Sequence, residues 1–67
     1  MTKKQMKKVA QEIAAYEKIH SNPASTEEEK KNAENNILYL TNRIFTAPNG
    51  FEIMTEIDDL IQKYLKE

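Results

Sequence analysis

A chain of 67 residues has room for one small domain, which on folding buries only about 60% of the surface that its unfolded form exposes, and none for a deep substrate cavity. Charged residues make up 31% of it, yet the formal net charge is only −1, so overall charge gives no preference for nucleic acid or for a membrane surface. The absence of cysteine excludes a disulfide framework, a thiolate zinc site and a thiol nucleophile together, and a reducing, cytoplasmic setting is expected.

One glycine and two prolines leave few places where the chain can break. His20-Ser21-Asn22-Pro23-Ala24-Ser25 and Ala47-Pro48-Asn49-Gly50 are those places, because proline cannot continue a helix and Asn, Ser and Gly favour turns. In the first segment, residues 2–20, Met6, Val9, Ile13 and Tyr16 recur at spacings of three and four with Ala10 and Ala14 alongside, which predicts an amphipathic helix. Lys3, Lys4, Lys7 and Lys8 make its start basic, as a signal peptide is, but polar residues break Val9-Ala10-Gln11-Glu12-Ile13 before an apolar run forms. Neither a secretion signal nor a membrane span is expected.

The second segment, residues 26–46, opens on Ser25-Thr26-Glu27-Glu28, where Ser25 three residues before Glu28 matches a capping box and Glu27, Glu28 and Glu29 suit the positive end of a helix dipole. Its predicted stripe is Ala33, Ile37, Leu40 and Ile44, widened by Leu38, Thr41 and Phe45. In the third, residues 50–66, Asn49 stands three residues before Glu52 as a possible cap. Ile53, Met54, Ile57, Leu60, Ile61, Tyr64 and Leu65 then spread over a broad arc, and Lys63 and Lys66 close the helix at its negative end. Phe51 and Ile19 fall off the stripes; Phe51 is placed to staple the start of the third helix or to cover one end of the core. Short breaks make neighbouring helices antiparallel, so the predicted fold is all-α, a single domain over residues 1–67 forming an up-down-up three-helix bundle. The broad third stripe is also compatible with a homodimer or with a partner groove.

The inventory of reactive groups is thin: one histidine, no cysteine, no tryptophan and no glycine-rich loop. No catalytic residue, no cofactor and no metal site is expected. His20, at the end of the first helix, is read as a capping or surface residue. Glu52, Glu56 and Asp59 share one side of the third helix at a spacing that suits a hard cation, but no second helix supplies a matching Glu-x-x-His, so a solvated acidic face is the reading adopted.

Residues 1–20 carry a charge of +3 and residues 49–67 a charge of −3. In an up-down-up bundle these two helices start at the same end, which brings the lysines towards Glu52, Glu56, Asp58 and Asp59. Internal charge complementarity is therefore favoured over a phosphate-binding patch, because no aromatic or arginine is interleaved with the lysines.

Tyr39 points away from the stripe of its helix and shares a face with Asn32, Asn35, Asn36 and Arg43. Tyr and Arg dominate binding hot spots, although single exposed aromatics are also ordinary. Along the third helix, Glu56-Ile57-Asp58 within Ile53-Met54-Thr55-Glu56-Ile57-Asp58-Asp59-Leu60-Ile61-Gln62-Lys63-Tyr64 resembles the second helix of small aspartyl-phosphate phosphatases whose signature is Ser-Gln-Glu-Leu-Asp. Met54 and Thr55 replace its Ser and Gln, and the match covers about a fifth of the chain. The resemblance implies a regulator of response regulators acting through Glu56 and Asp58.

The leading expectation is a small non-enzymatic binding or regulatory protein that docks a helical face on another protein through Tyr39, Arg43, Asn32, Asn35 and Asn36. The alternatives are a nucleic-acid-associated protein using the amino-terminal lysines, and a homodimer.

Overall fold

The computed structural model describes residues 2–66. Helix α1 (Lys3–Ser21) starts from a reciprocal capping box: the Gln5 N–H donates to Thr2 Oγ1 at 3.2 Å and the Thr2 N–H donates to Gln5 Oε1 at 2.9 Å. Its first turn holds no carboxylate, so this box satisfies orphan N–H groups at an end where Lys3 and Lys4 oppose the dipole. At the far end the Ser21 hydroxyl donates to the Glu17 carbonyl at 2.6 Å.

The turn that follows corrects the cap expected for the second helix. Asn22 folds the chain back on itself, its Oδ1 accepting from the Ala24 N–H at 2.9 Å and its carbonyl from the Ser25 N–H at 3.1 Å. Ser25 is thereby committed to the turn. Helix α2 (Glu27–Phe45) is capped one residue later, by Thr26 with Glu29 rather than Ser25 with Glu28: the Glu29 N–H donates to Thr26 Oγ1 at 3.1 Å, and the Thr26 N–H to Glu29 Oε1 at 3.2 Å.

The second connection also departs from expectation. Asn49 precedes helix α3 (Gly50–Leu65), but its side chain makes no capping bond; its backbone is left-handed, with φ 59° and ψ 28°. Asn is one of the few side chains that tolerates this conformation, so its role is to turn the chain rather than to cap the helix. Gly50 follows with its N–H on the Ala47 carbonyl at 3.0 Å and sits directly against the last turn of α2. A Cβ there would collide with the Ile44 carbonyl oxygen and approach Phe45 Cα and O to 2.8 Å.

The three helices form the up-down-up bundle, and all three touch one another. Helix α1 is central. It packs as extensively on α2 as on α3, while α2 and α3 meet much less. The core joins Met6, Ala10, Ile13 and Ala14 of α1 to Ile44 of α2 and to Ile57 and Ile61 of α3. The alanines occupy its centre because a helix flanked on two sides needs small side chains for close approach, which leaves Val9 and Tyr16 half-buried at the edges.

Two members of the expected second stripe are not core. Leu38 and Phe45 are 54% and 50% exposed, because α2 turns Ile37, Leu40 and Ile44 towards α1 while α3 covers little of the neighbouring flank. Phe51 is 77% exposed and neither staples α3 nor covers the core. The fold is also elongated, 36 × 25 × 15 Å, with a Cα radius of gyration of 12.1 Å, where about 10.9 Å is usual for this length.

Candidate docking surface

Viewed from Ile37 on the inward face of α2, a rotation of 100° per residue carries Leu38 and Phe45 to one flank. Asn35 and Asn42 fall on the outward face, and Tyr39, Asn32 and Arg43 lie beyond them. Tyr39 is 61% exposed, and Arg43, one turn later, lays its guanidinium over the ring with Cζ 5.8 Å from the centroid. The pair presents an aromatic ring and a planar cation together to solvent. Asn32, Asn35 and Asn36 are exposed on the same helix. Asn36 is partly committed to it, since its Nδ2 donates to the Asn32 carbonyl at 2.9 Å, whereas Asn35 lies on the arc between the two flanks.

The amino-terminal lysines divide into two groups. Lys3 and Lys7 line a groove with Glu56, Asp59 and Lys63 over an apolar floor of Met6 and Leu60, which is the juxtaposition expected from parallel α1 and α3. Lys4 and Lys8, with Lys7, Gln5 and Gln11, line a separate shallow groove, with Glu12 one turn beyond Lys8. Asp58 does not join the lysine groove as expected; it lines a separate groove with Phe45, Phe51, Met54 and Thr55, about 40° round α3 from Met54. Glu67, counted with the acidic segment, lies outside the described residues.

This division also separates Glu56 from Asp58. Ile57 between them is fully buried, and the two carboxylates project into different grooves, so the structure does not bring the phosphatase-like pair together. Among the described residues no three His, Asp or Glu side chains converge on a point that would hold a cation, Glu52, Glu56 and Asp59 included. His20 is exposed beside Glu27, Glu28, Lys30, Lys31 and Glu34. No helix among the described residues is long and apolar enough to cross a membrane.

The broad apolar arc of α3 is largely consumed inside the fold: Ile57 and Ile61 are buried, and Ile53, Met54, Leu60, Tyr64 and Leu65 are packed against the core. The uncovered apolar surface is elsewhere, on Phe51 of α3, which the sequence already set off the stripes, and on Leu38 and Phe45 of α2, which sequence reasoning assigned to the core. The signal was present in Lys31, Leu38 and Phe45, which are seven residues apart and share one line along α2. A lysine on that line marks it as solvent-facing. No family model, curated protein or solved structure matches this chain.

Proposed function

We propose that this chain is a small protein-binding domain with no covalent chemistry of its own, which docks a partner protein on the outward face of α2 through Tyr39 and Arg43. The observation that carries the reading is the placement of the Arg43 guanidinium over the exposed Tyr39 ring, because Tyr and Arg side by side on an exposed face are the residue types that dominate binding hot spots. Asn32 and Asn35 supply polar contacts at its border. Absence of cysteine suits work in a reducing compartment such as the cytoplasm.

The test places a photo-crosslinking phenylalanine analogue at position 39 in the full chain and irradiates it in native lysate, with and without nuclease. A specific crosslinked protein is expected that survives nuclease, and excess wild-type chain should compete it away. A Tyr39→Ala, Arg43→Ala double variant should not compete. If the double variant competes as well as the wild type, the Tyr39–Arg43 face is not the docking surface.

A second reading has one observation in its favour, the groove that Lys4, Lys7 and Lys8 line with Gln5 and Gln11. A nucleic-acid contact there would weaken with added salt, with a slope of about 0.9 in log K per phosphate engaged on duplex DNA. Affinity independent of salt would remove it.

A further inference from the structure

We propose that the chain pairs with a second copy of itself across the flank of α2 that carries Lys31, Leu38 and Phe45, the two α2 helices running antiparallel about a twofold axis at Leu38. This flank is distinct from the Tyr39–Arg43 face, which lies about 100° or more further round the same helix and stays open in the pair.

The first argument is area. The chain exposes 5,093 Å² for a mass of 7.8 kDa, where a folded monomer of that mass exposes about 4,400 Å². The excess of about 700 Å² approaches the roughly 800 Å² that each partner buries in a stable protein interface of standard size. Part of it has a visible origin: α2 and α3 meet less than either meets α1, and Leu38 and Phe45 on the flank of α2 and Phe51 in the first turn of α3 stand exposed. Taking about 200 Å² for a whole aromatic side chain, Phe45 and Phe51 alone leave about 250 Å² uncovered.

The second argument is that this surface is complementary to itself. Lys31, Leu38 and Phe45 step seven residues at a time, so they fall within about 40° of one another, with roughly 10 Å of rise between successive members. A twofold axis through Leu38 superposes each Lys31 on the Phe45 of the other copy. Phe45 lines the groove that Asp58 shares with Phe51, Met54 and Thr55, and that groove holds no cation of its own. The arrangement seats Leu38 on Leu38 at the axis, closes the aromatic groove on both sides, and brings Lys31 of each copy to Asp58 of the other, where that lysine must be drawn from the groove it shares with Glu27, Glu28 and Glu34. An unrelated partner would have to supply this pattern; a second copy supplies it by symmetry. The net charge of −1 per chain opposes the pairing little.

Sedimentation equilibrium on the full chain, from about 1 µM to about 1 mM, spans the affinities expected of a modest interface. The expected result is a reversible dimer of twice the 7.8 kDa chain mass. Leu38→Glu should give a monomer that keeps its helical circular dichroism, since Leu38 is outside the core. Lys31→Glu should weaken the dimer by about tenfold or more, the effect of a lost close charge pair, and Lys31→Glu with Asp58→Lys should restore it. A monomer throughout the range overturns the proposal. A dimer indifferent to Leu38→Glu, or a charge exchange that fails to restore pairing, overturns it equally.

Discussion

Arg43 lies over the ring of Tyr39 with its guanidinium carbon 5.8 Å from the ring centroid, a contact made across one helical turn on an exposed face. At an exposed site such stacking is worth about 0.5–1 kcal/mol. Tyr39→Ala should therefore cost about that much in urea unfolding, and Arg43→Ala the same, with the double variant little worse than either. Tyr39→Phe keeps the aromatic face and should keep the stability. Equal losses from Tyr39→Phe and Tyr39→Ala would assign the effect to the hydroxyl instead.

The start of α2 offers two overlapping capping boxes in sequence, and the structure uses the later one, with Thr26 Oγ1 accepting from the Glu29 N–H at 3.1 Å. Thr26→Ala should lower stability by about 1 kcal/mol, as loss of an N-cap does. Ser25→Ala should change it by no more than about 0.5 kcal/mol, the usual bound for a surface substitution. Thermal unfolding of the two variants side by side distinguishes the registers.

The same stretch shows where sequence reasoning stops. Three helices, their antiparallel order and most of the core follow from apolar periodicity and from two short breaks, and Met6, Ile13, Ile44 and Ile57 lie where the stripes put them. The choice between Ser25 and Thr26 depends on which N–H groups the Asn22 turn consumes, which residue spacing does not encode. The exposure of Leu38 and Phe45 depends on how little of that flank of α2 the third helix covers, a property of tertiary packing. Tyr39 and Arg43 were legible as neighbours from their spacing of four; their stacking was not, because it is a matter of rotamers.

Asn49 holds a left-handed backbone without a side-chain cap, so its conformation rather than its amide is what the turn uses. Asn49→Gly should leave stability unchanged or slightly raised. Asn49→Val, which pays the left-handed clash in full, should lose about 1–2 kcal/mol. A loss on substitution by glycine as large as that by valine would show that the amide matters after all. Denaturant midpoints at constant slope are the appropriate readout.

Ile57 and Phe51 are on the same helix at opposite extremes of burial, fully enclosed and 77% exposed. Ile57→Ala should cost about 2–5 kcal/mol, a large share of the stability of a 67-residue domain. Phe51→Ala should change the stability of the isolated monomer by no more than about 0.5 kcal/mol. Measured at low protein concentration, where self-association contributes nothing, a large loss for Phe51→Ala would mean that the ring is buried in solution.

Gly50 supplies the sharpest test of the geometry, because helix propensity and packing predict opposite signs there. Inside a helix an exposed glycine is about 0.5–1 kcal/mol worse than alanine, so Gly50→Ala should stabilise α3 on propensity alone. Gly50 is buried, however, and its added Cβ would meet the Ile44 carbonyl oxygen and the Phe45 backbone, none of which can move aside as a flexible side chain does. Relief requires the start of α3 to shift away from the end of α2, at the one junction where these two helices are held closest. Overpacking of this kind costs about 1–3 kcal/mol, so the net effect should be destabilising. Urea unfolding of Gly50→Ala decides between the terms: a lowered midpoint means that close backbone approach sets the α2–α3 angle, and a raised one means that the junction is looser than these contacts imply.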